Sequence, residues 1–228
     1  MPYTVTIGQK ISDAIGGKIS RVGEVLGIER LIYNPLTFWN FHRVAKYSAP
    51  GVIRTFKQMF PDAKRYLDVG AGSGAYAAEA TRSGINCIAI EYSATARKIA
   101  HKQNVDCRPF DLTQDPPANL PESPFDLAYS FEVAEHVPEP IGRKLVAFMA
   151  RQAPIIAFSA GQPGQLGMGH INCQPREYWI ARFAETGVRY RDDLTKQAIE
   201  RFRAEDVAWW LVDNLMIFER AELISPAQ

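Results

Sequence analysis

Arg65-Tyr-Leu-Asp-Val-Gly-Ala-Gly-Ser-Gly-Ala-Tyr-Ala-Ala-Glu-Ala80 is the stretch of this 228-residue chain whose reading decides the fold. A short apolar run, Tyr66, Leu67 and Val69, stands directly before three glycines at alternate positions, Gly70, Gly72 and Gly74. An alanine-rich segment of good helix propensity follows. That order predicts a strand, a tight turn and a helix. Residues without a Cβ take positive φ readily and let a ligand lie against bare amides at a helix N-terminus, so the turn suits a ligand with something polar or anionic to cradle.

Three features sharpen this reading. Asp68 sits near the end of the first strand, where dinucleotide fingerprints carry an apolar residue, and the glycines follow GxGxG rather than GxGxxG. Asn86-Cys-Ile-Ala-Ile-Glu91 is an apolar run ending in an acid about twenty residues past the first glycines, the distance at which a βαβ unit returns a carboxylate to a ribose. A third acid, Asp111, follows Pro109 and Phe110 after another short apolar stretch. Together these residues resemble the cofactor site of the class I S-adenosylmethionine-dependent methyltransferases, a resemblance that runs from about residue 65 to about residue 220.

The resemblance implies an α/β fold, a Rossmann-like seven-stranded mostly parallel sheet with helices on both faces and the last strand antiparallel beside the fifth. It implies S-adenosyl-L-methionine as cofactor, leaving as S-adenosyl-L-homocysteine. Asp68, Gly70, Ala71, Gly72 and Gly74 would lie beside the methionine part, and Glu91, next to Tyr92, would take the ribose hydroxyls. Asp111 would accept from the adenine amino group with Phe110 flanking the ring, and Phe131 and Glu132 complete the cofactor-binding set. Read from the residues alone, Asp111 is equally a surface turn residue.

Composition narrows the partners. With 46% hydrophobic residues the chain can bury one substantial α/β core, and a second full domain is not expected. A formal net charge of +1 gives no global electrostatic reason to bind nucleic acid or an anionic membrane, so a small-molecule acceptor is the expected partner, with a homodimer left open. Cys87, Cys107 and Cys173 lack metal-like spacing and read as buried or incidental thiols in a reducing compartment. No secretory signal and no membrane-length apolar run are visible, which suggests a cytoplasmic location.

Residues 1 to 60 are expected to form an N-terminal helical cap or lid, and 61 to 228 the methyltransferase domain. Ile7, Ile11, Ile15, Ile19, Val22 and Leu26 recur at helical spacing around Gly16-Gly17, and an aromatic cluster from Leu31 to His42 follows. Within it Tyr33 and Trp39 are candidate acceptor contacts, should this segment act as a lid rather than a structural cap. Ala49-Pro50-Gly51 is expected to break the chain before a helix from Val52 to Phe60. Beyond the first strand, apolar runs predict strands at Cys87–Glu91, Val105–Arg108, Phe125–Ser130, Pro154–Ser159, Val188–Arg191 and Asn214–Arg220, with Ser93 capping the second core helix. Asp115-Pro116-Pro117 precedes the fourth strand and lacks a following aromatic residue, so it reads as linker.

Two stretches point to the chemistry. Phe131-Glu-Val-Ala-Glu135-His136-Val137-Pro138 is similar to the segment that follows the fourth strand in many small-molecule methyltransferases. The glycine-rich run from Ala160 to Gly169 then delivers His170 and Asn172 ahead of a helix carrying Tyr178. His170 is the candidate general base, with His136 as a second catalytic residue or a loop-positioning one. Asn172 and Tyr178 are candidate acceptor contacts, or parts of the loop and helix start. No additional carboxylate or Asp-Asn pair marks a divalent-metal site, so metal-independent transfer is expected, most simply to a hydroxyl oxygen of a sugar or natural-product intermediate. Competing readings are a small-molecule N-methyltransferase, a nicotinamide-dependent reductase on the same βαβ unit, and a non-catalytic cofactor-binding protein.

Overall fold

The computed structural model describes residues 18, 35–114, 117–165 and 167–220. The expected N-terminal helix pair, Tyr33, Asp115 and Pro116 lie outside the described residues. A long helix, α1 (Pro35–Met59), leads into β1 (Arg65–Val69), α2 (Ala75–Arg82), β2 (Asn86–Glu91), α3 (Ala94–His101) and β3 (Cys107–Pro109). After the proline-rich loop come β4 (Leu127–Phe131), a short 3-10 turn (Ala134–His136), α4 (Glu139–Gln152) and β5 (Ile155–Ser159). The chain ends its described course with α5 (Arg176–Ala184), β6 (Val188–Tyr190), α6 (Asp192–Ala204), α7 (Trp209–Asn214) and β7 (Met216–Arg220).

The seven strands form one sheet in the order β3-β2-β1-β4-β5-β7-β6. All neighbours run parallel except β7, which is inserted antiparallel between β5 and β6. Strand order reverses between β1 and β4, and crevices outside the carboxyl ends of strands at such a switch are where open α/β sheets bind ligands. Tyr66, Leu67, Asp68 and Val69 are all buried, as expected of a strand covered on both faces. One face carries a core containing Phe56, Tyr66, Tyr129 and Phe202, and the other a core with Leu67, Phe148, Phe158 and Trp179. No helix among the described residues is long and apolar enough to cross a membrane.

Local signals hold where they are strongest. Ser93 caps α3, its Oγ accepting from the Ala96 amide at 3.3 Å. The third strand starts two residues later than its apolar run, because Val105 instead tucks beneath the glycine turn, its Cγ1 3.4 Å from where a Gly74 Cβ would stand. The expected break at Ala49-Pro50-Gly51 does not occur, since α1 runs straight through Pro50. An internal proline costs a helix about 3 kcal/mol. Here the flanking turn is clamped by tertiary packing: Ala49, Val52, Ile53 and Phe56 are buried, and a Cβ on Gly51 would come within 2.7 Å of the Glu205 Cβ. The second half of α1 is thus a covering layer of the sheet itself.

Candidate active site

The glycine turn is built as its spacing requires. Gly70, Gly72 and Gly74 have φ of 74°, 53° and 74°, a region costly for residues with a Cβ. A Cβ on Gly70 would stand 2.6 Å from Val133 Cγ2, so the turn closes directly against the segment after β4, whereas around Gly72 there is open space. The Gly72 amide donates to Glu91 Oε2 at 2.8 Å and the Ser93 amide to Oε1 at 2.7 Å, fixing the carboxylate at the end of β2. Asp68 is buried with one oxygen lacking a partner among the described residues. Burial, reinforced by the charge of Glu91, raises its pKa to about 8. Ala71 donates to the Ile90 carbonyl at 3.1 Å, Phe110 packs 4.6 Å from the Phe148 ring, and Phe131 stacks on Tyr129 at 5.2 Å. Tyr92 is exposed.

Asp111 is the turn residue that its position also allowed: Oδ1 accepts from the Thr113 amide at 2.8 Å and from its hydroxyl at 2.6 Å. Those bonds lower its pKa. A residue that the motif reading did not select joins the turn from α1. His42 is buried, its Nδ1 2.9 Å from Ser73 Oγ, while Gln103 Nε2 donates to the Ser73 carbonyl at 2.6 Å. Only the folding back of α1 brings His42 there, and nothing local in sequence signals it.

Across the crevice, the loop after β5 clasps the turn after β4. The amides of Ile171 and Asn172 donate to the Glu135 carbonyl at 2.8 and 3.0 Å, and Asn172 Nδ2 donates to the Ala134 carbonyl at 3.1 Å. Asn172 is therefore buried in holding the two segments together, and Tyr178 is engaged elsewhere, its hydroxyl donating to Glu139 at the start of α4. Trp39 is 53% exposed and 5.6 Å from the His42 ring. Glu132 takes a left-handed conformation at φ 54°, a strained choice for a residue with a side chain, and both carboxylate oxygens accept from Asn214 Nδ2 at 3.2 Å. Asn214 and Gln165 exchange amide hydrogen bonds at 3.0 and 3.1 Å, tying the loop to the end of α7.

This clasp brings His136 and His170 together with ring centroids 4.9 Å apart. Burial, then the charge of His170, lowers the His136 pKa to about 4, and burial lowers that of His170, so both imidazoles are uncharged at neutral pH. Beside them Glu135 is wholly buried, and neither of its carboxylate oxygens finds a partner among the described residues. Burial and the neighbouring Glu132 carboxylate push its carboxyl well above the usual range; the nearby Glu135 and Gly161 amides pull the other way without reaching hydrogen-bond geometry. Glu135, His136 and His170 each offer a ligand atom, all within 4.8 Å of one another. The sequence, searched for a second carboxylate or an Asp-Asn pair, gave no sign of this grouping because its third member arrives from a separate loop. The three cysteines are free thiols, Cys87 and Cys107 buried and Cys173 partly so, with Sγ 3.4 Å from His170 Nδ1.

A family profile described as "Methyltransferase domain" matches residues 41–154, half of the chain. The chain belongs to the methyltransferase domain family. Solved structures of the same fold include a sugar N-methyltransferase from a Streptoalloteichus species, 17% identical, covering 77% of this chain and 88% of its own, with a TM-score of 0.57. An amino pentose methyltransferase from Micromonospora echinaspora is 17% identical over 76% of this chain and 90% of its own, with a TM-score of 0.56. An O-methyltransferase family protein from Burkholderia thailandensis is 12% identical over 94% of this chain and 70% of its own, with a TM-score of 0.62. No curated protein matches the chain in sequence. The methyltransferase uses S-adenosylmethionine as its methyl donor, and the nicotinamide reading falls with that assignment.

Proposed function

We propose that this methyltransferase transfers the methyl group of S-adenosylmethionine to a hydroxyl oxygen of a small-molecule acceptor, with the sugar and natural-product classes as the first to test. The observation that carries this reading is the pair of uncharged imidazoles, His136 and His170, brought together by the segments that follow β4 and β5. A neutral imidazole can take the proton that a hydroxyl must lose as its oxygen attacks the methyl carbon. The structurally similar proteins bear names from both oxygen and nitrogen methylation, so the fold itself does not select the acceptor atom.

On the donor side, the residues present fit the cofactor. Asp68, buried with an unpartnered oxygen, suits the donor's ammonium group, and Gly72 leaves open space where backbone can approach it. Glu91, held by two amides, retains lone pairs for two ribose hydroxyls, and Phe110 offers a ring face beside it. Asp111 keeps one oxygen beyond its turn bonds for the adenine amino group. Bound there, the donor supplies a methyl group on a positively charged sulfur. The chain's own residues orient it, hold the acceptor in line and exclude water, effects worth about 7–11 kcal/mol in favourable cases.

The test is a panel of hydroxyl and amine acceptors, sugars and phenols included, with isotopically labelled donor and mass spectrometric mapping of the product. A methyl group on oxygen supports the reading. Exclusive methylation of nitrogen, or none across the panel despite donor binding, overturns it.

A further inference from the structure

Two imidazoles and one carboxyl group in close array form a ligand set as well as a proton acceptor. We propose that Glu135, His136 and His170 form a binding site for a divalent transition cation, which receives the acceptor hydroxyl in an open coordination position. The inference deepens the oxygen-methylation reading and rests on it for the role, though not for the site.

Two observations support the site. First, Glu135 is 0% exposed, yet both carboxylate oxygens lack a partner among the described residues. A carboxylate is seldom withdrawn from water unless something positive meets it. Second, each ring is oriented as metal-binding histidines are. His136 Nδ1 donates to the Gly169 carbonyl and His170 Nδ1 to the Gln165 carbonyl, both at 3.3 Å, so that Nε2 carries the lone pair in each. The loop closes tightly on this pair: a Cβ on Gly167 would fall 2.1 Å from His170 Nε2, and one on Gly161 would stand 3.1 Å from His170 Cε1 and 3.4 Å from Glu135 Cγ, so the glycine at 167 is what lets the ring lie beside Glu135.

The ligand atoms lie within 4.8 Å of one another, and metal–ligand distances of ~2.0–2.2 Å require separations nearer ~3.4 Å. Side-chain shifts of ~1 Å close the difference. A mixed nitrogen and oxygen set of three donors suits Mn²⁺, Fe²⁺, Co²⁺ or Zn²⁺ better than Ca²⁺ or Mg²⁺, and it leaves positions open, as catalytic sites do. Glu132, held by Asn214, stands beside the set and adds negative potential.

With a cation there, the acceptor hydroxyl coordinates through oxygen and loses its proton to solvent more readily. The oxygen lone pair forms the new C–O bond while the C–S bond breaks with its electrons remaining on sulfur. The products are the methyl ether, S-adenosylhomocysteine and one proton. His136 and His170 then act as ligands rather than as the final proton acceptors.

The experiment uses the full chain after treatment with a chelator. Cation binding is measured by equilibrium dialysis against Mn²⁺, Co²⁺ and Zn²⁺ with elemental analysis, and Co²⁺ is also followed by its visible d–d bands. One equivalent of at least one cation is expected, with affinity falling ~100-fold or more in Glu135→Gln and in His170→Ala, and unchanged in His101→Ala, an exposed helix histidine. Retained S-adenosylhomocysteine binding shows that the variants fold. No stoichiometric binding by the native chain, or equal binding by Glu135→Gln, overturns the proposal. Hydroxyl methylation at full rate in excess chelator overturns the cation alone and leaves the function standing. Stoichiometric cation binding lost in Glu135→Gln, in a chain that methylates only amines, supports the site while overturning the function.

Discussion

The two walls of the crevice solve opposite problems. On the donor side, the Glu91 carboxylate is held by the Gly72 and Ser93 amides, and Ser73 is gripped by His42 and Gln103, while one buried oxygen of Asp68 is left without a partner among the described residues. On the acceptor side, Glu135 is buried with neither oxygen partnered among the described residues, its pKa pushed upward by burial and by Glu132, and two neutral imidazoles stand beside it. One wall is largely held by the protein before its ligand arrives, with the Asp68 oxygen left over. The other is incomplete in the protein alone, and unsatisfied buried polar groups of this kind are retained where function needs them. Variants on the two walls should therefore separate binding from turnover.

The largest effect is expected from His170→Ala, which should lower turnover ~10²–10⁴-fold while leaving S-adenosylhomocysteine affinity, measured by calorimetry, within about twofold of native. Near-native turnover on the true acceptor would remove His170 from the chemistry in any role. Glu91→Ala comes next and in the opposite sense: loss of hydrogen bonds to a charged group, worth about 1.5–3 kcal/mol, should weaken donor binding by about 10–100-fold. If turnover at saturating donor falls equally, the walls are not separable.

Gly167→Ala should sharpen the contrast at smaller scale. Its new methyl displaces the His170 ring, and turnover should drop by about tenfold with donor affinity intact, the cost of a roughly 1 Å misplacement or less. The smallest effect is one of pH. Asp68 has a folded pKa near 8 against an ordinary 3.8, so its contribution to stability is full below about pH 4 and is lost as pH rises through about 8. The melting temperature of the donor-free chain should fall across that window, and Asp68→Asn should flatten the slope. Because a bound ammonium favours the ionised carboxyl, donor binding near neutral pH should release a proton, detectable as a buffer-dependent heat.

How far the sequence reached follows the same division. The glycine turn, Asp68, Glu91 and the Ser93 cap were legible because each is a local pattern, within one strand–turn–helix unit, and the antiparallel β7 followed from the family resemblance. His136 and His170 were each visible as candidates, yet their meeting was not, since it depends on the loop after β5 hydrogen-bonding back to the Glu135 carbonyl. Glu135 was legible only as part of a resemblance, because burial without partners is a property of the folded site. Asn172 and Tyr178 drew attention as acceptor contacts or as parts of the loop and helix start, and the structure gives them bonds to the Ala134 carbonyl and to Glu139. Pro50 misled for a physical reason: propensity is a weak prior against a helix face buried at Val52, Ile53 and Phe56.

The placement of Asn214 has a temporal consequence. This residue, which steadies Glu132, lies 82 positions later in the chain, immediately before the strand that is inserted between β5 and β6. During synthesis the glycine turn and Glu91 emerge well before it, at rates on the order of 5–20 residues per second. The glycine turn therefore waits seconds for Val133 to close against Gly70 and for Phe148 to pack on Phe110, and only the docking of the last strand sets Asn214 on Glu132.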